Sequence, residues 1–454
     1  MKVRFRAVPL AALTAALLTV AVAVPAEASA PEDALWMAQE TSPRYGNGYP
    51  DAMGLDPRTG RIHVAGYALR GNEFENYDYV TVSYDSQGAR IRTRTSSIAN
   101  TPDFLQDVAV DPSSGSYFVT GYCCNVVKAH TVAYGRSGNV LWDVIYEDPT
   151  QIGSYGYSVA VDPVRDRVYL GVRGSGSPDK ATVVALSKAT GEQLWTSSVD
   201  FDYGSLPTGL GWPQVAVHPG TGTVVLSTQN LGALGSIDIE AAAFDSSGQS
   251  LWNSRYDGPR SEDDGSEDVI IVGDTIYVVG NSDRDIATVT YDLDGNQKWA
   301  ATYGLASRTD FGADIAVDPV TGAVLVTGRT YLQGGGRRGD PTVLTLAYDS
   351  LGGQLWTALS EVGSGVAVAV DATRGVAYVA GDTRQEWTTI AYAIADGTVL
   401  RTDILDEPTA NLRGAPADIA VDSRNGNVYL TGNYPSPNDV QVITFTTLGY
   451  PPAG

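Results

Sequence analysis

Four aspartates, Asp107, Asp268, Asp314 and Asp418, recur at the start of similar short segments such as Asp314-Ile-Ala-Val-Asp318 and Asp418-Ile-Ala-Val-Asp422. Carboxylates gathered at one place can hold a divalent cation or a cationic group, and a suitably spaced pair can run acid/base hydrolysis. The run from Ser261 to Asp268 (SEDDGSED) adds further acid beside them. Aromatic residues accompany the acids in the same parts of the chain: Tyr155, Tyr157, Trp212 and Phe311, with Tyr45, Tyr49 and Tyr203. An acidic mouth rimmed by such rings fits a cation, a cationic group or stacked sugar rings. The plainer alternative is that the carboxylates cap strand ends and the rings pack loops.

Other chemistry is thinner. The two cysteines, Cys123 and Cys124, are adjacent, so they cannot staple distant parts of the chain. In an exported protein they could close a strained vicinal disulfide or remain thiols. The histidines His63, His130 and His218 lie far apart and lack zinc-ligand spacing. Asp292-Leu-Asp-Gly295 opens like a calcium loop but lacks the later ligands. A nucleophile elbow, a phosphate-binding glycine loop and an HExxH pair are all absent.

The four aspartates belong to a repeat. Short apolar strands recur at 52–56, 107–111, 158–162, 214–218, 268–272, 314–318, 367–371 and 418–422, with starts 46 to 56 residues apart. A period near 50 built from strands is the mark of a propeller. A turn such as Asp318-Pro-Val-Thr-Gly322 follows most first strands; its Asp caps backbone N–H groups, Pro sets φ and Gly tolerates positive φ. A second strand then ends in a small residue, as at Gly66, Gly121, Gly280, Gly328 and Gly432. A third runs to an aromatic and a turn, as in 288–292, and a fourth opens with Leu-Trp at 141–142, 194–195, 251–252 and 355–356, or Lys298-Trp299. Four strands per unit predict an all-β, eight-bladed propeller of four-stranded blades.

Small residues in the middle of the first strand (Gly54, Ala109, Ala160, Ala216, Ala316, Ala369, Ala420, with Ile270 the exception) place that strand at the crowded axis. The tryptophans then fill the widening gap between outer strands. The eighth unit lacks its Leu-Trp strand, and Leu35-Trp36-Met37 lies in phase to supply it. The N-terminal segment is therefore expected to complete the last blade and close the ring. Arginine stands near the Leu-Trp place in the first unit (Arg90, Arg92) and in the seventh (Arg401). The turns after the first strand are short, which leaves the longer loops, the aspartate column and the listed aromatics on the opposite face, where function usually sits.

Lys2, Arg4 and Arg6 precede an apolar run at 7–24, and Ala26-Glu-Ala28 has a cleavable small-x-small pattern. Residues 1–28 read as a signal peptide and 29–454 as a single secreted propeller domain, the alternative being an uncleaved membrane anchor. No later apolar stretch reaches the roughly 20 residues a membrane helix needs. The formal charge is −22, and 29–454 carry −24 once Lys2, Arg4, Arg6 and Glu27 are set aside. Such a surface repels nucleic acid and anionic membranes. A monomer with a protein or carbohydrate ligand is expected.

Two segments carry a family resemblance. Val183-Val-Ala-Leu-Ser-Lys-Ala-Thr-Gly-Glu-Gln-Leu-Trp195 resembles the repeat of pyrroloquinoline-quinone (PQQ)-type propellers, and Asp418-Ile-Ala-Val-Asp-Ser-Arg-Asn-Gly-Asn-Val-Tyr-Leu-Thr-Gly432 resembles the bacterial β-propeller repeat of the YVTN and WD40 kind. The resemblance implies the propeller fold. For activity it leaves two classes open, quinone-dependent dehydrogenases of alcohols or sugars and non-catalytic binding scaffolds. In quinoprotein alcohol dehydrogenases a vicinal cysteine pair lies against the quinone with a calcium ion, and Cys123-Cys124 invites the comparison. In that family, however, the pair precedes a blade's first strand, whereas here it follows a second strand. The family's Glu, Asn and Asp calcium ligands and its catalytic Asp have no motif match in this chain. The expectation is a non-catalytic binding scaffold without a required cofactor. PQQ with Ca²⁺ is the alternative, and a polysaccharide-active propeller enzyme is a third.

Overall fold

The computed structural model describes residues 31, 33–40, 45–70, 76–98, 101–176, 178–201, 212–231, 236–332, 341–382, 386–406, 414–436 and 443–453. The expected signal peptide 1–28 lies outside the described residues. Strands form eight antiparallel four-stranded sheets, each drawn from consecutive strands except the last. Blades 1 to 7 span 45–96, 104–146, 153–201, 214–256, 264–303, 308–362 and 364–406. Blade 8 combines Ala415–Val421, Val428–Pro435 and Ile443–Tyr450 with the N-terminal strand Trp36–Glu40, which runs antiparallel to Ile443–Tyr450 from Trp36↔Gly449 to Glu40↔Phe445. The ring closes as its repeat phase requires.

Packing between blades follows one rule. Trp142, Trp195, Trp252, Trp299 and Trp356 each donate their indole N–H to a backbone carbonyl of the next blade: Lys188, Ser246, Leu293, Ser350 and Ile394. Each ring lies over the turn glycine of that blade, so a Cβ on Gly248 would sit 2.6 Å from Trp195, and the same glycine needs its φ of 90°. At the seam Trp36 covers Gly88 in the same way and packs between Tyr84 and Tyr429 at 6.2 and 5.8 Å. Where tryptophan is missing, arginine makes the link. Arg94 donates to Gly138 O of blade 2 at 2.5 Å, and Arg401 donates to Pro451 O while lying over the Tyr450 ring.

The inner strands differ from expectation in length. Tyr45–Leu55, Gly153–Asp162 and Arg308–Val317 begin five to seven residues before the repeat core. A β-bulge in seven blades breaks the period-two pattern just before that core, between Pro50/Ala52, Leu105/Asp107, Gly156/Ser158, Ser266/Asp268, Gly312/Asp314, Gly365/Ala367 and Pro416/Asp418. The bulge also explains the glycine expected to end the second strand, which instead lies inside it, as Gly328 does in Val324–Leu332. A Cβ on Gly328 would lie 1.9 Å from Phe311 O, where the bulged strand presses its carbonyl inward. The first-turn aspartates act as caps: Asp318 is buried and accepts Val320 N–H and the Thr321 hydroxyl. Among the described residues no helix is long and apolar enough to cross a membrane.

Candidate functional site

The structure brings Asp107, Asp268, Asp314 and Asp418 together around the central channel, each at the start of its inner-strand core and half-buried. Their carboxylates are occupied by backbone. Each Oδ1 accepts the following amide, Val108, Val269, Ile315 or Ile419, at 2.7–2.8 Å. Three also reach into the next blade: Asp107 Oδ2 accepts Val159 N–H, Asp314 Oδ2 accepts Val368 N–H and Asp418 Oδ2 accepts Met53 N–H, at 2.6–2.8 Å. The recipient blades carry Ser158, Ala367 and Ala52 at the aspartate position and have no carboxylate of their own there. Four acids thus serve seven amides, and the column works as a set of inter-blade latches.

Crowding raises the acids' pKa values. Burial pushes Asp107 up to about 6, with Asp268 adding repulsion, and Asp418 up to about 7, with Asp107 and Asp268 adding theirs. Blades 5 and 6 both carry an acid, so Ile315 N–H is already taken by Asp314 and Asp268 has no amide to latch. Its carboxyl instead meets that of Asp314 in a hydrogen bond, and burial followed by this like charge drives Asp314 well above the usual range. Asp268→Asn keeps an acceptor for Val269 N–H and offers a permanent N–H to Asp314. It is expected to raise the melting point at pH 8 by about 1–2 kcal/mol of stability and to change little at pH 5. Thermal melts at the two pH values decide; a drop at pH 8 would mean that the pair is not under repulsion.

A second constellation lies above blades 1 to 3. Tyr49, Tyr67, Tyr77, Phe104, Tyr122, Tyr155, Tyr157 and Trp212 form a continuous aromatic band, with neighbouring centroids between 4.5 and 6.3 Å apart. Six of these rings are half-buried, Tyr157 is buried, and Trp212 is 43% exposed. The band holds one acid that the sequence reading missed. Asp51 is the bulge residue of blade 1, and its Oδ2 is buried without a hydrogen-bond partner among the described residues. Burial pushes its pKa up to about 8, and its charge is felt by Tyr67 and Tyr122. The available signal was its position: Asp51 precedes the aspartate column by one residue, as Tyr157 does in blade 3.

Of the expected site residues, Tyr155, Tyr157 and Trp212 thus join one band. Phe311 sits apart in blade 6, edge-on to Tyr331 at 6.1 Å with the Arg329 guanidinium over its ring at 5.1 Å. Cys123 and Cys124, for which the sequence leaves a vicinal disulfide or thiols open, stand as free cysteines in the structure. Cys123 ends the strand Tyr117–Cys123 with its side chain buried, opposite Lys128, while Cys124 turns into the left-handed region at φ 77° to open the hairpin. Burial, then the Cys124 contact, raises the Cys123 pKa.

Comparisons agree with this architecture. Residues 125–336 match the PQQ-type repeat family model described as outer membrane protein assembly factor BamB. None of the curated proteins matches the chain by sequence. Among solved structures, the chain is similar to the quinohemoprotein alcohol dehydrogenase from Comamonas testosteroni, at 14% identity and TM-score 0.58, covering 92% of this chain and 76% of that one. It is equally similar to Sqt1 from Chaetomium thermophilum, at 12% identity and TM-score 0.58, covering 93% and 99%. The C-terminal WD40 domain of Sif2 matches at 9% identity and TM-score 0.55, covering 90% and 98%. These likenesses show the fold, and the chain resembles the PQQ-like propellers. The channel mouth does not fit their quinone and calcium. Asp107, Asp314 and Asp418 spend both carboxylate oxygens on backbone amides.

Proposed function

We propose that this PQQ-like propeller is an exported, non-catalytic scaffold that binds a carbohydrate in the aromatic band above blades 1 to 3. The observation that carries the reading is the band itself, eight contiguous rings that include Tyr67 and Tyr122 beside Asp51, whose buried Oδ2 has no partner among the described residues. Aromatic faces take the apolar faces of sugar rings, and few, well-placed polar groups set orientation. A carboxyl that stays protonated to about pH 8 both donates and accepts, which suits a pair of sugar hydroxyls. Asp103, an acid of the same region, is fully buried and held by Ile98 N–H, so it is not presented as a second acid for hydrolysis. The basic n-region and apolar run at 2–24 support export.

A glycan array followed by calorimetry on the hits tests the reading. Asp51→Asn and Tyr67→Ala are each expected to weaken the best hit about ten-fold or more. Asp51→Asn should leave the melting point at pH 8 unchanged or higher, because it removes an uncompensated buried acid. Failure of every glycan to bind would sink the carbohydrate assignment. Dye reduction with alcohols or sugars after loading with PQQ and Ca²⁺ would replace the scaffold reading with a dehydrogenase.

A further inference from the structure

A separate cluster of carboxylates lies between blades 4 and 5, on the long-loop face. Asp238 is the second residue of Ile237–Phe244, Asp257 directly follows Ser250–Tyr256, and Asp264 opens the inner strand Asp264–Val272. One carboxylate oxygen from each lies within 4.8 Å of the others. That is the spread expected of oxygens around a Ca²⁺ ion, where ligands at about 2.4 Å on opposite sides stand about 4.8 Å apart. Asp238 and Asp264 are 5% and 1% exposed, while Asp257 is open to solvent. Two buried acids and a third against them repel one another, and such an arrangement is costly unless something positive sits among them.

Asp264 supplies the second observation. Its Oδ2 accepts Gly258 N–H at 2.6 Å, but its buried Oδ1 has no donor at bonding geometry among the described residues. The Ser282 hydroxyl lies beside this carboxyl and is the one side-chain donor that reaches it among the described residues. Of the neighbouring Arg255 and Arg260, only the charge of Arg255 reaches the cluster, at Asp238, and both have other partners. Arg255 donates to Leu231 O and pairs with Glu240, and Arg260 pairs with Asp283 and Asp285. The loop is also held in place: Ser261, in the left-handed region at φ 52°, donates its amide to Gly258 O and its hydroxyl to Asp257.

We infer that Asp238, Asp257 and Asp264 form a Ca²⁺ site that ties blade 4 to blade 5. All three groups offer hard oxygen and none offers nitrogen or sulfur, which selects Ca²⁺ or Mg²⁺ over transition metals. The exposed side at Asp257 leaves room for the waters that complete a coordination number of six to eight. Flexible carboxylates spread over three segments suit Ca²⁺ better than the tight octahedron of Mg²⁺. The cluster is distinct from the channel ring and from the aromatic band, so its fate is independent of the carbohydrate reading.

The test is calorimetric titration of the full chain, stripped with chelator, with CaCl₂ and separately with MgCl₂. The expected result is saturable one-site Ca²⁺ binding, weaker Mg²⁺ binding and a melting point raised by Ca²⁺. Asp264→Asn and Asp238→Asn should each lower Ca²⁺ affinity by about ten-fold or more. Metal-free, both should melt at or above the wild-type temperature, because each relieves repulsion; a purely structural carboxylate would lower it. Lack of saturable binding up to about 5 mM Ca²⁺, beyond the weak extracellular range, overturns the assignment. So does unchanged affinity in both variants.

Discussion

Deleting residues 31–40 is expected to lower the melting temperature by more than about 10 °C or to abolish cooperative unfolding. The strand Trp36–Glu40 is the outer strand of blade 8 and pairs residue by residue with Phe445 to Gly449. Its loss leaves that blade three-stranded, with an open edge along Ile443–Tyr450. It also removes the aromatic wedge over Gly88 that joins blade 8 to blade 1. Trp36→Ala alone should cost about 2–4 kcal/mol, toward the low end for a large core ring because Trp36 is only partly buried. Thermal melts and limited proteolysis give the readout. A deletion variant that melts with the full chain would refute closure at this seam.

The second large effect is a rise in stability as pH falls from 8 to about 6. Folded-state pKa values of about 8 for Asp51 and about 7 for Asp418, with Asp268 and Asp314 also raised, all exceed those of an unfolded aspartate. A group raised on folding contributes stability that is complete below its unfolded pKa and is lost as pH rises through its folded pKa. Going down from pH 8, the folded protein takes up protons that the unfolded chain does not. The gain over this window is of the order of 3–4 kcal/mol. His63 limits it from below. Its buried ring, bonded to the Ser83 hydroxyl, has its pKa lowered to about 3, so stability is lost as pH falls from about 6.5 toward 3. Unfolding in denaturant at pH 8, 7, 6 and 5 should show stability rising at each step down, because the raised acids outnumber the one histidine that opposes them. The rise should persist in 1 M salt, because buried groups escape the screening that would erase a net-charge effect. A flat profile in high salt would mean that the acid ring is no more strained than a surface carboxylate.

Most of the scaffold was legible because it repeats. The spacing of the first strands, the tryptophan column and the displaced Leu35-Trp36-Met37 fixed blade number and closure before any coordinates. What was illegible lies where the repeat carries no consensus. The bulge residues are Asp51, Gln106, Tyr157, Glu267, Ala313, Val366 and Ala417, with no type shared by more than two of the seven. A bulged residue is unpaired, so pairing imposes no side chain on it, and Asp51 gave no column signal. The aspartate column was visible, but its use was not. Only the register between blades shows that Asp418 serves Met53, some 365 positions away in the chain. Tyr67, Tyr77, Phe104 and Tyr122 likewise form no repeat column, and only the stacking of neighbouring blades sets them side by side.

Pairing Trp36 with Gly449 also imposes an order in time. The chain leaves the ribosome N-terminus first, so this strand is made about 410 residues before its partner. At 5–20 residues per second that is a wait of roughly 20–80 s. Seven blades can fold from local hairpins as they emerge, but the eighth depends on two segments that meet only once Ile443–Tyr450 has been made. Until then a strand edge and an indole stay uncovered, and these are the surfaces through which one nascent copy would capture another. For this propeller, the hazard of misassembly falls in the last moments before the circle is joined.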